Sequence, residues 1–173
     1  MNKIAVGIDP GKKGFIAIFE GSMLTFFPIP TVGKELDIHG LKNILCTLAA
    51  KTQTNLVRVV TEDVHALFGS SAKGTFSFGY TCGVIEGILS TLNIPYTKVT
   101  PKKWQAEMHQ GIPVQKKPSS TGKTEVKDVK LMSLMAAKRL FPEVDFRATE
   151  RCKNPDDNKI DALLMAEYCR RKF

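Results

Sequence analysis

The stretch Ile4–Ile18, IAVGIDPGKKGFIAI, contains two apolar segments separated by a short polar turn. The first segment alternates isoleucine and valine with small residues, a pattern typical of a buried β-strand. Pro10 restricts φ to a value suited to a turn, while Gly11 and Gly14 permit conformations or close approaches that a Cβ would block. The stretch therefore predicts two strands joined by a tight turn, with Asp9 at the end of the first strand.

The neighbouring residues extend this pattern into a sheet. Three successive strands are predicted as a β-meander, at residues 3–9, 14–20 and 22–28. Apolar residues with a period of 3.6 predict a helix over Ile38–Lys51, which crosses over to a strand at Leu56–Thr61. Glu62 follows that strand, so two strands each carry a carboxylate at their C-terminal end, where open α/β sheets build their sites.

The next helix is predicted at residues 75–92, after an exposed loop at 69–74. Gly79, Gly83 and Gly87 lie four residues apart along one stripe of this helix. Each glycine costs about 1 kcal/mol of helix propensity relative to alanine, so the stripe indicates a very close approach. Two explanations are open, namely tight packing on the chain's own sheet and contact with a second copy across a two-fold axis.

The second half of the chain alternates structured and polar segments. A strand is predicted at Ile94–Val99, and Thr100-Pro101 is typical of an N-cap followed by proline at the first helical position. Residues 107–124 contain prolines, glycines and lysines and predict a basic surface loop. An amphipathic helix is then predicted over Glu125–Phe141, where Pro142 stops it.

A final helix is predicted after Pro155, and its first turn is rich in acids. Asp156 is explained as a cap that complements the helix dipole. Asp157 and Asp161 are four residues apart and share one helical face, where like charges repel by a few tenths of a kcal/mol. That spacing is tolerated when a cation lies between the two carboxylates.

Length and composition favour one compact domain spanning residues 1–173, because the chain has 43% hydrophobic residues and no low-complexity run. The longest apolar runs are far shorter than the roughly 20 residues of a membrane span, and no signal segment is recognisable. The four cysteines are scattered without a C-x-x-C pair, which argues against a zinc site or a disulfide framework. We therefore expect no membrane partner and a cytoplasmic protein, or one in the equivalent compartment of a host.

Positive charge is concentrated in the second part of the chain. Residues 1–96 contain 8 Lys and Arg against 7 Asp and Glu, a net charge of +1, whereas residues 97–173 contain 17 against 10, a net charge of +7. This asymmetry favours a polyanionic partner such as nucleic acid. The alternative is a solvated basic face that keeps the protein soluble.

Asp9 alone is explained by a turn in which the side chain bonds its own backbone. Together with Glu62, Asp157 and Asp161, however, it forms a set of oxygen ligands suited to Mg²⁺ or Mn²⁺. Two such ions about 4 Å apart activate a water and stabilise the leaving 3′ oxygen of a phosphodiester. The acids therefore predict metal-dependent phosphodiester hydrolysis.

Five motifs in this order carry a resemblance to a known family: G-I-D-P-G, T-E-D-V-H-A, F-S-F-G with G-V-I-E-G-I-L, V-T-P-K-K-W, and D-x-x-x-D-A-L-L-M-A. They cover nearly the whole chain and resemble the RuvC family of Holliday junction resolvases, particularly its phage forms. The resemblance implies an α/β RNase H-like fold, a mixed five-stranded sheet flanked by helices. It also implies a homodimer with two active sites that nicks four-way DNA junctions with divalent metals.

By motif, Asp9, Glu62 and Asp161 match the family's carboxylates. The bacterial helix pair is D-x-x-D, which places Asn158 where an Asp is expected, so we assign the third carboxylate to Asp157 with Asn158 as an alternative amide ligand. Lys123 matches a basic residue near the scissile phosphate at the foot of the next helix.

The resemblance also bears on DNA contacts. A family lysine falls near Gln105, a departure that leaves Lys103 as the candidate. The aromatic that stacks at the open junction centre corresponds to His65, with Phe68 as the alternative wedge. The predicted DNA-binding residues are His65, Phe68, Lys73, Lys102, Lys103, Lys116, Lys117 and Lys123.

Two alternative functions stay open at this point. A related enzyme of the same fold would cut flaps, forks or RNA–DNA hybrids, and the motifs do not separate these targets. A non-catalytic basic nucleic-acid-binding module is the alternative from another class, although a pure binder gains nothing from four acids that face a phosphate.

Overall fold

The computed structural model describes residues 3–53, 55–63 and 71–173. Its first three strands are β1 (Lys3–Ile8), β2 (Phe15–Glu20) and β3 (Met23–Pro28), and they form the predicted antiparallel meander. Gly14 allows the turn after β1, because a Cβ added there would lie 2.0 Å from the carbonyl oxygen of Asp9. The predicted close approach in this turn is therefore confirmed.

Two further strands extend the sheet in the parallel direction. Helix α1 (Ile38–Lys51) has the predicted bounds and leads to β6 (Leu56–Glu62), which pairs in parallel with β1. Helix α2 (Ala72–Thr91) leads to β7 (Tyr96–Val99), which pairs in parallel with β6. The strand order is β3-β2-β1-β6-β7, so the sheet is mixed.

Three helices follow β7, namely α3 (Pro101–Met108), α4 (Val129–Leu140) and α5 (Asp157–Lys172). On β1, Ile4, Val6 and Ile8 belong to the core shared with α1 and α2, whereas Ala5 belongs to the core shared with α3, α4 and α5. The sheet is therefore covered by helices on both faces. Large side chains of β1 face one layer and small ones face the other.

Helix α5 lies directly against β1 because Gly7 has no side chain. A Cβ added to Gly7 would be 2.2 Å from both the carbonyl oxygen of Ala162 and the amide nitrogen of Ala166. Ala162 and Ala166 are themselves fully buried. This contact fixes the height of α5 over the end of β1, where Asp9 is located.

Two predicted segments are wrong in detail. A small hairpin replaces the end of the predicted loop and the first residues of the helix predicted from Glu125. It consists of β8 (Lys116–Pro118) and β9 (Glu125–Lys127). Helix α4 begins later because Asp128 caps it, accepting a hydrogen bond from the Leu131 amide at 3.2 Å. Likewise, Ser71 caps α2 through the Gly74 amide, so the last three residues of the predicted loop are helical.

A second small hairpin, which the sequence did not indicate, precedes α1. It pairs β4 (Thr31–Val32) with β5 (Glu35–Leu36). Lys12 Nζ donates to the carbonyl oxygen of Lys34 at 3.1 Å, which ties the turn after β1 to this hairpin.

The glycine stripe of α2 faces away from the sheet. A Cβ added to Gly79, Gly83 or Gly87 would have no neighbour within 4 Å among the described residues. Tight packing on the chain's own sheet therefore does not explain the stripe. Phe76 and Tyr80 lie beside it and are 76% and 45% exposed.

In the described part of the chain, no helix has the length and apolar character that crossing a membrane requires.

Candidate active site

The sheet places two carboxylates side by side at the C-terminal ends of β1 and β6. Ile8 pairs with Thr61 across these parallel strands, so Asp9 and Glu62 are the next residues on neighbouring strands. Neighbouring strands are about 4.8 Å apart, which brings the two side chains within range of strong repulsion. The strand pairing alone therefore creates an acidic pair.

Burial and charge perturb Asp9. Burial first, and then the charges of Glu62 and Asp156, raise the pKa of Asp9 to about 7. The Gly11 amide donates to Asp9 Oδ1 at 3.4 Å and lowers that pKa, but it offsets only part of the effect. Asp9 is therefore a carboxylate that gains from a nearby cation.

Helix α5 adds Asp161 to the pair. Burial, followed by the charges of Asp9, Glu62 and Asp157, raises the pKa of Asp161 to about 8. Burial also raises the pKa of Glu62. Asp9, Glu62 and Asp161 come from opposite ends of the chain and together form one electrostatically coupled group, which we call the acid cluster.

Asp157 lies at the edge of the acid cluster and is paired with a lysine. Lys130 Nζ is 2.7 Å from Asp157 Oδ2, and the hydrogen bond to Asp157 raises the pKa of Lys130. The charge of Asp161 acts on Lys130 in the same direction. Lys130 was not among the residues selected from the sequence, because nothing in its local pattern distinguishes it from other lysines on a helix.

Asp156 has the predicted structural role. Its side chain caps α5 by accepting hydrogen bonds from the amides of Asn158 and Lys159, at 2.9 and 3.0 Å. Its charge also acts on Asp9, so the cap adds to the negative potential of the cluster. The structure gives no contact for the amide side chain of Asn158, which stays an alternative ligand.

Two buried residues that sequence reasoning missed act on the carboxylates. Trp104 is fully buried on α3, and its indole Nε1 donates a hydrogen bond to Glu62 Oε1 at 3.2 Å. Ser133 is 2% exposed on α4, and its hydroxyl acts to lower the pKa of Asp161. The V-T-P-K-K-W motif contains Trp104, but its sequence position alone does not indicate which group it bonds.

The acid cluster consists of donors that suit a hard divalent cation. Within residues 3–53, 55–63 and 71–173, no three His, Cys, Asp or Glu side chains are already arranged to chelate one ion. The donors are carboxylate oxygens held in a half-buried site, and their mutual repulsion is what a cation removes. By donor chemistry, the cluster therefore fits Mg²⁺ or Mn²⁺.

The predicted DNA-binding lysines lie on several surfaces. Lys102 and Lys103 are exposed in the first turn of α3, and Lys73 is exposed in the first turn of α2. Lys116 and Lys117 on β8 form exposed ion pairs with Glu125 and Asp128. All of these lysines are accessible to a large anionic partner.

Three other predicted residues have different outcomes. Lys123 is exposed in the turn between β8 and β9, and the structure gives it no contact with the acid cluster. His65 and Phe68, the candidate wedges, lie outside the described residues. Their roles stay predictions from the resemblance.

Solved structures share this architecture over the full length of the chain. RuvC from Thermus thermophilus aligns with 97% of this chain and 95% of its own, with a TM-score of 0.56 and 11% sequence identity. The fold is that of RuvC. T. thermophilus RuvC in complex with a Holliday junction substrate aligns over 98% of this chain and 96% of that one, with a TM-score of 0.55 and 11% identity. The sequence itself matches no protein-family model and no curated protein.

The RuvC fold confirms the predicted mixed five-stranded sheet with helices on its faces. At 11% identity the likeness establishes the fold and leaves the activity to be argued from the site. Here the site consists of acids at two parallel strand ends and one helix, with basic residues around them.

Proposed function

We propose that this protein is a divalent-metal-dependent endonuclease that resolves four-way DNA junctions by paired, symmetric nicks. The observation that carries the proposal is the coupling of Asp9, Glu62 and Asp161 in one half-buried cluster. Such a cluster is costly for a protein that only binds DNA, because it repels phosphate. Its cost is offset when the cluster holds a cation that contacts the phosphate.

Asp9, Glu62 and Asp161 would hold the metal, with Asp157 at the edge of the site. When bound, a divalent cation supplies an activated water and stabilises the oxygen that leaves from the phosphodiester. The chain's own residues set the position and charge of the ligands. Trp104 fixes Glu62 by a hydrogen bond, Ser133 acts to lower the pKa of Asp161, and Lys130 neutralises Asp157 at 2.7 Å.

Lys130 also brings positive charge to the rim of the acid cluster. Its side chain is 67% exposed, so a DNA strand that approaches the cluster meets an ammonium group as well as carboxylates. A phosphate near the cluster is therefore attracted at the rim and faces the cation within. This arrangement suits hydrolysis of a phosphodiester that remains part of a long polyanion.

The basic second part of the chain supplies the wider DNA contacts. Residues 97–173 have a net charge of +7, and Lys102, Lys103, Lys116 and Lys117 within them are exposed. Contacts of this kind read the backbone rather than the base sequence, so binding weakens steeply as salt is raised. The RuvC fold supports a branched substrate, because a relative with this fold was solved with a Holliday junction.

We infer a homodimer whose two copies meet along α2. The glycine stripe has open space beside it, and Phe76 and Tyr80 expose large apolar area next to the stripe. A second α2 can approach glycine backbone closely, and an isologous contact places the two acid clusters about a two-fold axis. Two such sites face opposed strands of one junction, which is the requirement for symmetric nicks.

The test is a nicking assay on a synthetic four-way junction in Mg²⁺, with flap, fork and linear duplexes of matched sequence as controls. Each strand is labelled in turn, and DNA ligase is added to the products. The expected result is symmetric cuts on two opposed strands, with ends that ligase seals because hydrolysis leaves 5′ phosphate and 3′ hydroxyl groups. Equal cutting of flaps and forks would favour a general branched-DNA nuclease, and binding without cutting would favour a non-catalytic binder.

A further inference from the structure

A continuous layer of buried contacts lies beneath the acid cluster, between helices α3 and α4. Trp104 donates its indole hydrogen bond to Glu62 at 3.2 Å. The edge of the His109 ring packs against Trp104, with ring centroids 6.5 Å apart and an interplanar angle of 75°. His109 Nε2 is in turn 3.1 Å from Ser133 Oγ, and the Ser133 hydroxyl acts to lower the pKa of Asp161.

The direction of these hydrogen bonds follows from the number of protons. Ser133 has one hydroxyl proton, and a cation in the acid cluster would keep Asp161 ionised, so that Asp161 only accepts hydrogen bonds and the proton of Ser133 goes to it. Ser133 Oγ must then accept from His109, which requires the proton of a neutral imidazole to be on Nε2. Burial and the charge of Lys127 both lower the pKa of His109, which favours the neutral ring.

We propose that Trp104, His109 and Ser133 are positioning residues that hold Glu62 of the acid cluster in the arrangement that binds the divalent cation. The inference rests on the metal site of the proposed function and adds residues that do not touch the metal. Trp104 orients Glu62 through its indole hydrogen bond, and His109 packs against Trp104 while its Nε2 lies 3.1 Å from the Ser133 hydroxyl. The support of Glu62 therefore extends from Trp104 through His109 to Ser133, and Ser133 also acts on the neighbouring Asp161.

This support addresses an energetic problem of the acid cluster. The carboxylates repel one another, so without directed donors they turn apart and must be brought together when a cation binds. A donor that is already oriented reduces this cost, and removing such an outer hydrogen bond typically weakens metal affinity about 10- to 100-fold. A residue that only fills the core has no such effect on affinity.

Trp104 provides the measurement, because it is the single tryptophan of the chain. Mn²⁺ quenches nearby indole fluorescence, so a titration of the full-length protein with Mn²⁺ reports binding at Glu62 without DNA and without turnover. We expect saturable quenching in the unaltered protein. Ser133→Ala should weaken the Mn²⁺ dissociation constant about tenfold or more.

His109 offers a matched pair of variants. The amide nitrogen of glutamine can replace the Nε2 donor, so His109→Gln should keep affinity within about threefold, whereas His109→Leu should weaken it about tenfold. Thr81→Val is the control, since it removes another fully buried helical hydroxyl that bonds only the Ser77 carbonyl among the described contacts. Trp104→Phe, measured by calorimetry, should lose affinity as Ser133→Ala does.

The outcomes separate this inference from the proposed function. Unchanged affinity in folded Ser133→Ala and His109→Leu, with saturable quenching in the unaltered protein, would overturn the positioning layer alone. An unaltered protein that shows no saturable quenching would overturn the metal site and this inference with it. If Ser133→Ala does not fold, the comparison of His109→Gln with His109→Leu decides the question.

Discussion

Lys130 on α4 and Asp157 on α5 form an ion pair, with 2.7 Å between Nζ and Oδ2, at the edge of the acid cluster. This contact bears on the choice between Asp157 and Asn158 as a ligand. We predict that Asp157→Asn lowers single-turnover cleavage in Mg²⁺ about 100-fold or more, because it removes a carboxylate oxygen from the edge of the proposed metal site. Asn158→Ala should lower cleavage less than about threefold. A larger loss in Asn158→Ala than in Asp157→Asn would instead assign the ligand to Asn158.

The three carboxylates of the acid cluster should be essential for cutting and dispensable for binding. Asp9→Asn, Glu62→Gln and Asp161→Asn each remove an oxygen ligand and a negative charge, so we expect cleavage to fall by roughly 10³-fold. Junction binding in Ca²⁺ or EDTA should persist or tighten, because less negative charge opposes the phosphate. Substantial residual cleavage in any of the three, measured beside gel-shift binding, would contradict the assignment.

The raised pKa values predict how metal-free stability depends on pH. Asp9 and Asp161 have folded-state pKa values of about 7 and about 8, against 3.8 ordinarily. The folded state therefore binds more protons than the unfolded state between about pH 4 and pH 8. The extra protons on Asp9 and Asp161 stabilise the folded state fully below pH 4, and this stabilisation is lost as the pH rises to 8.

We accordingly expect the melting temperature of the metal-free protein to fall between pH 5 and pH 8. Asp161→Asn should make this fall smaller and raise the free energy of unfolding at pH 8 by about 1 kcal/mol or more. Each kcal/mol should raise the melting temperature by roughly 2–4 °C. Asp145 is the control, because its hydrogen bonds to Arg147 lower its pKa to about 2, the opposite direction. A higher melting temperature at pH 8 in Asp145→Asn as well would argue against a specific effect.

Gly83 tests the dimer. A Cβ added at Gly83 meets no atom within 4 Å in the described protomer, and replacing a helical glycine gains helix propensity of up to about 1 kcal/mol. Gly83→Leu should therefore leave the protomer as stable or more stable while it weakens self-association about tenfold or more, measured by light scattering and sedimentation. Thr47→Leu, at an exposed position of α1, should not alter association. A monomeric unaltered protein at micromolar concentration would exclude the paired-nick arrangement.

The sequence predicted those parts of the molecule that local pattern determines. The apolar alternation before Asp9 predicted the meander, and the helical period of Ile38–Lys51 predicted the crossover helix. The strand pattern before Glu62 predicted the second strand-end acid. The short hairpin from Lys116 to Lys127 was missed, because strands of three exposed residues have no apolar alternation to detect. The start of α4 was placed at Glu125 although Asp128 is the residue whose side chain caps it.

The supporting contacts of the site could not be predicted in the same way. Each of these contacts joins segments that are far apart in the chain. Trp104 acts on Glu62, Ser133 acts on Asp161, and Lys130 pairs with Asp157. Such meetings depend on how α3, α4 and α5 pack on the sheet, which no single segment encodes. The spacing of Asp157 and Asp161 indicated a shared face, but only the packed structure shows that Asp157 has a lysine partner.

Helix α5 supplies Asp161 and also lies directly on β1 at Gly7, so one element completes both the core and the acid cluster. During synthesis, Asp9 leaves the ribosome about 150 residues before Asp161, and Glu62 leaves about 100 residues before it. At typical translation rates of about 5–20 residues per second, this interval lasts roughly 5–20 s. A nascent chain therefore carries an incomplete acid cluster, and the last carboxylate joins it in the same event that closes the fold.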